Sequence, residues 1–349
     1  MSIERIDYPI QKGDFFGPLA PEEYSESWPQ YVLHLEDCYL GEKGTIYDSD
    51  FNLILEANFN YLFWHDRAAK GWGGPKNPIP PYNPCDALAP EFAKKAHFKE
   101  VIELDDSFSY VYGHHYFNIY VFGHFWDTLQ DLQKIESLHL KNTKLITPPL
   151  STHVTDVDFH LSLFGYPEKD RLSLSFPLGG QTLYKVPSLY YPSPTASPSQ
   201  ISINGLKYLR SKYNALLNES DNTTKLYLSR PEKVAGISQR RVLNNAEVIN
   251  YLRSQGFTVV EGNEGIEKHI NLFNKASIII GAHGSLFRNI IFSDYNPKVF
   301  EFCPKNRACL NFTKIGKTLG LEYKWIETKA DEDFNIKIDL NFLKDILNE

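Results

Sequence analysis

A histidine set between glycines, at the point where an apolar run stops, is the arrangement in this chain best suited to chemistry. Ala276 to Ile280 reads as a buried strand, and Gly281-Ala282-His283-Gly284-Ser285 breaks it. The segment from Leu286 to Phe292 then opens a helix whose unsatisfied N–H groups suit a phosphate that the glycines allow to approach. Guanidinium forks match phosphate oxygens two at a time. Arg230 ends the apolar run Lys225 to Ser229, and Arg240-Arg241 follow after a loop containing Pro231 and Gly236. Of that pair, Arg241 is the better anion ligand and Arg240 the surface charge. His283 can donate to a phosphate or a sugar hydroxyl, and Gly284 admits a ligand to the backbone. Glu301, near the end of the run Lys298 to Phe302, can accept from ribose hydroxyls. The plainer roles are a packing histidine and a carboxylate bonded to nearby backbone N–H groups.

Groups that move protons gather in the first half, where His114, His115, His124, Asp127 and Asp131 share one stretch. Phe125, Leu129, Leu132 and Ile135 recur at helical spacing, which puts Asp127 and Asp131 on one flank. His124, three residues before Asp127, falls on nearly the same face. A side chain there can take a proton from an attacking hydroxyl, and Asp127 is the preferred base with His124 as its rival. His115 and Asp158 come next, although satisfied core histidines among the surrounding aromatics account equally well for His114 and His115. Asp48-Ser49-Asp50 and Asp156-Val157-Asp158 spell acidic triplets of the kind that bridge a divalent cation to a diphosphate. Neither follows a clear strand of an α/β unit, so structural or solvent-facing roles are their default.

The elements that must hold these groups follow from the whole chain. Its 349 residues, 42% of them hydrophobic, favour two domains over one. A formal net charge of −7 argues against a nucleic-acid partner. Cys38, Cys85, Cys303 and Cys309 form no CxxC pair, so neither a zinc ribbon nor a disulfide scaffold is signalled. Met1 to Phe15 is charged and broken by Pro9 and Gly13, unlike a signal peptide, and no apolar run is long enough to cross a bilayer. The expectation is a cytoplasmic protein without a transmembrane segment.

From Tyr31 to Phe59 short apolar runs alternate with turn residues, as in a hairpin or small antiparallel sheet. Lys144 to Thr147 follows the histidine-rich helix as a strand. Pro192 to Ser199 is the linker, since its prolines suit neither a helix nor a central strand. Beyond it, a helix over Ile201 to Leu217 precedes strands at Lys225, Phe257, Ser277 and Lys298, separated by helices over Asn245 to Gln255, Ile266 to Lys275 and Phe287 to Phe292. Strands alternating with helices imply a parallel sheet whose ligands sit at the carboxyl ends of the strands, where Arg230, His283 and Glu301 fall. The domains are thus expected at 1–196 and 197–349, with the last helix packing back on the N-terminal domain.

In order and spacing, Leu226 to Arg230, Arg240-Arg241-Val242-Leu243-Asn244, Leu272-Phe273-Asn274-Lys275-Ala276, His283-Gly284-Ser285 with Asn289 to Phe292, and Val299-Phe300-Glu301 resemble glycosyltransferase family 61. Phe122 to Leu129 resembles that family's N-terminal helix, so the resemblance covers most of Val111 to Pro304. Departures stand at Asn245, where an acid is usual, at His269, and at Ser285, Leu286 and Arg288 in the glycine-rich turn. Leu286 would narrow the pocket and Arg288 would add a cation near the diphosphate.

The resemblance implies a GT-B fold of two Rossmann-like domains facing a central cleft, inverting chemistry, and no obligatory metal or other cofactor. It also implies a nucleotide-sugar donor, UDP-linked, held by Arg230, Arg241, His283, Gly284, Ser285, Arg288, Asn289 and Glu301. The acceptor is a hydroxyl of a glycan in surface polysaccharide or glycoprotein glycan synthesis, deprotonated by Asp127 or His124. Two other readings compete: a metal-dependent GT-A transferase using Asp156 and Asp158, and a non-catalytic protein that binds sugar nucleotides or glycans.

Overall fold

The computed structural model describes residues 2–7, 15–16, 30–41, 46–52, 54, 100–110, 129–147, 157–174, 182–193, 201–217, 223–230, 241–294, 296–304 and 311–348. The chain is mixed α/β and divides into two compact units, Met1–Leu209 and Arg210–Glu349. The linker expected over Pro192 to Ser199 lies mostly outside the described residues. The division falls instead inside the following helix.

In the first unit, the strands are β1 (Ile3–Asp7), β2 (Phe15–Phe16), β3 (Tyr31–Leu40), β4 (Ile46–Tyr47), β5 (Glu100–Glu103), β6 (Ser107–Tyr110), β7 (Lys144–Thr147), β8 (Arg171–Ser173), β9 (Thr182–Pro192) and β10 (Ile201–Ser202). Among the described residues the main sheet runs β1-β3-β9-β6-β7-β8, with β4 on β3 and β5 on β9, while β10 pairs with β2 apart from it. The expected hairpin is β3 with β4, and in the turn that follows β4 Asp48 accepts from the N–H groups of Asp50 and Asn52 at 2.9 and 2.8 Å. That bonding gives the first acidic triplet a turn-forming role.

The sheet is antiparallel from β1 to β9 and parallel from β9 to β8. Helices α1 (Leu132–Ser137) and α2 (Val157–Leu163) lie in the two crossovers of its parallel part. Its core gathers Leu35, Cys38, Ile46, Phe108, Ile146, Val186 and Leu189. Burial pushes the Cys38 thiol up to about 12, so it packs as a small apolar side chain rather than a nucleophile.

Helix α3 (Ile203–Tyr213) crosses the division. The second unit continues with β11 (Thr224–Leu228), α4 (Asn245–Ser254), β12 (Phe257–Val260), α5 (Ile266–Asn274), β13 (Ala276–Ala282), β14 (Lys298–Pro304), α6 (Asn311–Thr318), β15 (Glu322–Thr328) and α7 (Leu340–Asn348). Among the described residues its sheet is five-stranded and wholly parallel, in the order β12-β11-β13-β14-β15. Tyr227, Ile280, Phe300 and Phe302 pack on one face with Val248 and Leu252 of α4 and with Leu343 and Ile346 of α7. On the other face Phe312 of α6 meets Phe287 and His283. Helices therefore cover both faces, which explains the near-continuous apolar runs of the central strands.

Gly256 closes α4 as expected, in the left-handed region at φ 82° with its N–H on the Arg253 carbonyl. Two elements were not foreseen: β15, which extends the sheet past the strand expected to be last, and α6 before it. α7, the last helix, joins the core of the second unit through Leu343 and Ile346. The helix expected over Phe287 to Phe292 is a 3-10 run, Ser285–Phe292, long for its kind. No helix among the described residues is long and apolar enough to cross a membrane.

Candidate active site

All five strands of the second sheet end on one edge, and the strand order reverses between β11 and β13, with β12 beyond β11 and β14 beyond β13. At such a switch point the connections leave toward opposite faces and open a crevice beyond the strand ends. Arg230 follows β11 into it, and His283 follows β13.

Two glycines bring these segments together for different reasons. A Cβ at Gly281 would lie 2.8 Å from the Leu228 Cβ and 2.9 Å from the Leu228 carbonyl oxygen, so β11 and β13 touch there. Gly284 has an extended backbone, φ −177°, which any residue adopts. What it supplies is space, because a Cβ at 284 would lie 3.1 Å from Nη2 and 3.2 Å from Nε of Arg230. The guanidinium thus packs on the turn that carries His283.

Asn245 anchors Arg230 from behind. Its Oδ1 accepts from the Tyr227 hydroxyl at 2.7 Å, and its Nδ2 donates to Ser229 Oγ at 3.1 Å and to the Arg230 carbonyl at 3.4 Å. Arg241 is clamped by its backbone: its N–H donates to Asn335 Oδ1 at 2.8 Å, and its carbonyl accepts from Ile336 at 2.9 Å. Its Nε is buried with no hydrogen-bond partner among the described residues. Asp331, below the usual carboxylate range because Asn335 bonds it through side chain and backbone, also feels the Arg241 charge.

His283 is 8% exposed, and its backbone N–H continues the ladder to the Phe302 carbonyl at 2.8 Å. Its Nδ1 lies 2.5 Å from Glu301 Oε1, and Tyr323 donates its hydroxyl to Glu301 Oε2 at 2.8 Å. Glu301 is fully buried. It offers its oxygens to His283 and Tyr323. In the 3-10 run Arg288 is half-buried, whereas Asn289 is buried and its Oδ1 lacks a hydrogen-bond partner among the described residues.

Leu286 leans on the loop after β12, where a Cβ at Gly262 (φ 91°) would lie 3.2 Å from its Cδ2. Glu264 shapes that loop by accepting from the N–H groups of Glu261 and Gly262 and pairing with His269 Nε2 at 2.9 Å. Burial alone would push the Glu264 carboxyl up, but these donors together hold it below its ordinary value.

His124, Asp127, His114, His115, Asp156 and Arg240 lie outside the described residues. Asp131, on the same predicted flank as Asp127, is buried and pairs with Lys134 Nζ at 3.3 Å, while that ammonium also donates to the Ser193 carbonyl. Burial pulls Lys134 below its ordinary value and Asp131 partly restores it. Asp158 is exposed at the start of α2 and pairs with Arg171 at 2.6 Å.

Sequence reasoning missed Tyr323 because it stopped one strand short. The alternation of Tyr323 and Trp325 with Glu322 and Lys324 is a half-buried strand signal that would have found it. It also missed the Asp131–Lys134 and Glu264–His269 pairs.

The family model described as Glycosyltransferase 61 matches residues 112–324. The chain belongs to glycosyltransferase family 61. The match takes in β11 to β14, both glycines of the crevice and Tyr323, so the strand-edge site described above lies within the family's common part. No curated protein matches the chain. The contacts of Asn245 call for an amide, which accepts from Tyr227 while donating to the Arg230 carbonyl, as an ionised carboxylate does not do.

Proposed function

We propose that this family 61 chain is an inverting GT-B glycosyltransferase that moves a sugar from a nucleotide donor, UDP-linked, to a hydroxyl of a glycan acceptor. One observation carries the reading: the Arg230 guanidinium packs against Gly284 at the switch point of a parallel sheet, beside the histidine that ends β13. A diphosphate set there meets a guanidinium fork, backbone at a residue without a side chain, and the start of the 3-10 run. Arg241, with its buried Nε, and Arg288 supply further positive charge, and Ser285 and Asn289 complete the donor side.

On this reading the second unit binds the donor and the first receives the acceptor. Asp127, or His124 in its place, takes the acceptor proton as the acceptor oxygen bonds to the anomeric carbon. The bond to the diphosphate breaks with its electron pair leaving on the phosphate oxygen, and Arg230 and Arg241 stabilise that charge. Fixed cations do here what a divalent ion does elsewhere, so no metal is required. The reaction draws on cytoplasmic nucleotide sugars and serves surface polysaccharide or glycoprotein glycan synthesis.

A thermal-shift titration with UDP, GDP and CMP, repeated in excess EDTA, tests this, since a ligand of the folded state raises its melting temperature. The expected result is a UDP-dependent rise that EDTA leaves unchanged. A rise abolished by EDTA and restored by Mn²⁺ would support the GT-A alternative through Asp156 and Asp158.

A further inference from the structure

We propose that Glu301 and Tyr323 are positioning residues that fix His283 as a hydrogen-bond donor to the departing diphosphate. The proposal deepens the donor site proposed above and rests on it.

Glu301 sits on β14, level with Gly281 of β13 on one side and Trp325 of β15 on the other. Its side chain is fully buried. A carboxylate so placed persists only when its oxygens are bonded, and here each has a partner from a neighbouring strand. Oε1 faces His283 Nδ1 at 2.5 Å, and Oε2 accepts from the Tyr323 hydroxyl at 2.8 Å. Tyr323 lies diagonal to Glu301, two positions before its direct partner, within reach of a long aromatic side chain.

A carboxylate accepts, so in this contact the imidazole donates from Nδ1. That fixes the tautomer: Nε2 carries the lone pair in the neutral ring and a proton only in the imidazolium. The same carboxylate favours the imidazolium when an anion arrives. Two further contacts hold the ring: the backbone N–H of His283 on the Phe302 carbonyl at 2.8 Å, and the Phe312 ring, tilted, at 5.1 Å. The charged and titratable groups near it include Glu301, Tyr323 beyond that carboxylate and, against Gly284, Arg230.

In the transfer, the acceptor oxygen bonds to the anomeric carbon and its proton goes to the base of the first unit. The sugar–phosphate bond breaks and its electrons stay on the diphosphate, where the Nε2–H of His283 donates to the oxygen that gains charge. No proton has to leave His283 in this step, and the one on Nε2 is taken from solvent as the donor binds. A merely structural network would stitch β13, β14 and β15 together without affecting which imidazole nitrogen meets the ligand.

The test uses the full chain labelled with ¹⁵N-histidine, with UDP as the probe. His283 is assigned by comparison with His283→Gln. The wild type is expected to show a protonated Nδ1, with Nε2 gaining a proton as UDP binds. Glu301→Gln should lose the fixed tautomer and weaken UDP about ten- to a hundredfold, and Tyr323→Phe about two- to tenfold with an upfield Nδ1–H. If Glu301→Gln does not fold, Tyr323→Phe decides alone, since it removes one hydroxyl and keeps the ring. Arg230→Ala serves as the control. If UDP fails to bind the wild type, or binds Arg230→Ala equally well, the donor-site reading falls and this role with it. If Arg230→Ala weakens UDP while Tyr323→Phe and any folded Glu301→Gln leave both affinity and tautomer unmoved, the relay alone is overturned.

Discussion

Arg230 and Arg241 are each held through the backbone, independently of the guanidinium groups. The Arg230 carbonyl is tied to Asn245, and Arg241 is clamped between Asn335 and Ile336. Truncating either should therefore spare the fold. Arg230→Ala and Arg241→Ala are expected to keep the unfolding midpoint of the parent and to weaken UDP about ten- to a hundredfold in calorimetric titration. Unchanged affinity in both would remove the diphosphate from this edge. The base is a separate residue-scale question. Asp127→Asn keeps shape and loses proton affinity, so transfer is expected to fall by about two to four orders of magnitude with donor affinity retained. Near-normal transfer in both Asp127→Asn and His124→Ala would move the base to His115 or Asp158, and Asp158 already spends its charge on Arg171.

At the scale of elements, the two glycines flanking His283 separate folding from binding. A methyl at 281 meets the Leu228 backbone oxygen and Cβ, neither of which can swing away. A methyl at 284 meets only the far end of the Arg230 side chain. Gly281→Ala is expected to cost about 1–3 kcal/mol of stability in urea unfolding. Gly284→Ala should keep the parent's unfolding midpoint and weaken UDP, so the opposite order of effects would show that Arg230 does not mark the ligand. The sequence disclosed this edge because apolar runs ending at Ser229, Ala282 and Phe302 announce parallel strands, and because glycines and arginines at strand ends have few other uses. It hid the partners of Glu301. Which side chain meets a strand-end carboxylate depends on sheet order, and that order places β15 beside β14 across a helix that sequence reasoning left unassigned. The 3-10 form of Ser285–Phe292 was equally illegible, since buried Phe287, Ile290 and Ile291 recur at the spacing of an ordinary α-helix.

At the scale of the whole molecule, stability against acid should depend in part on a histidine in the first unit. His160 on α2 is fully buried, and burial pulls it down to about 3. An unfolded histidine takes its proton near pH 6.5, so between that pH and about 3 the unfolded state binds more protons, and stability falls as pH falls. The expected loss from this residue is up to about 1.4 kcal/mol per pH unit in that window. Urea unfolding of wild type and His160→Asn at pH 7 and pH 5 checks it, and an equal pH slope in the two would refute it. The first sheet has a further consequence, one that concerns synthesis. Val32 of β3 pairs with Pro192 of β9, 160 positions later. At ribosomal rates of about 5–20 residues per second, β3 waits roughly 8 to 32 s for its partner. Through that interval the nascent chain carries an apolar strand with one edge unfilled, so the first unit completes its sheet only after β9 has left the ribosome.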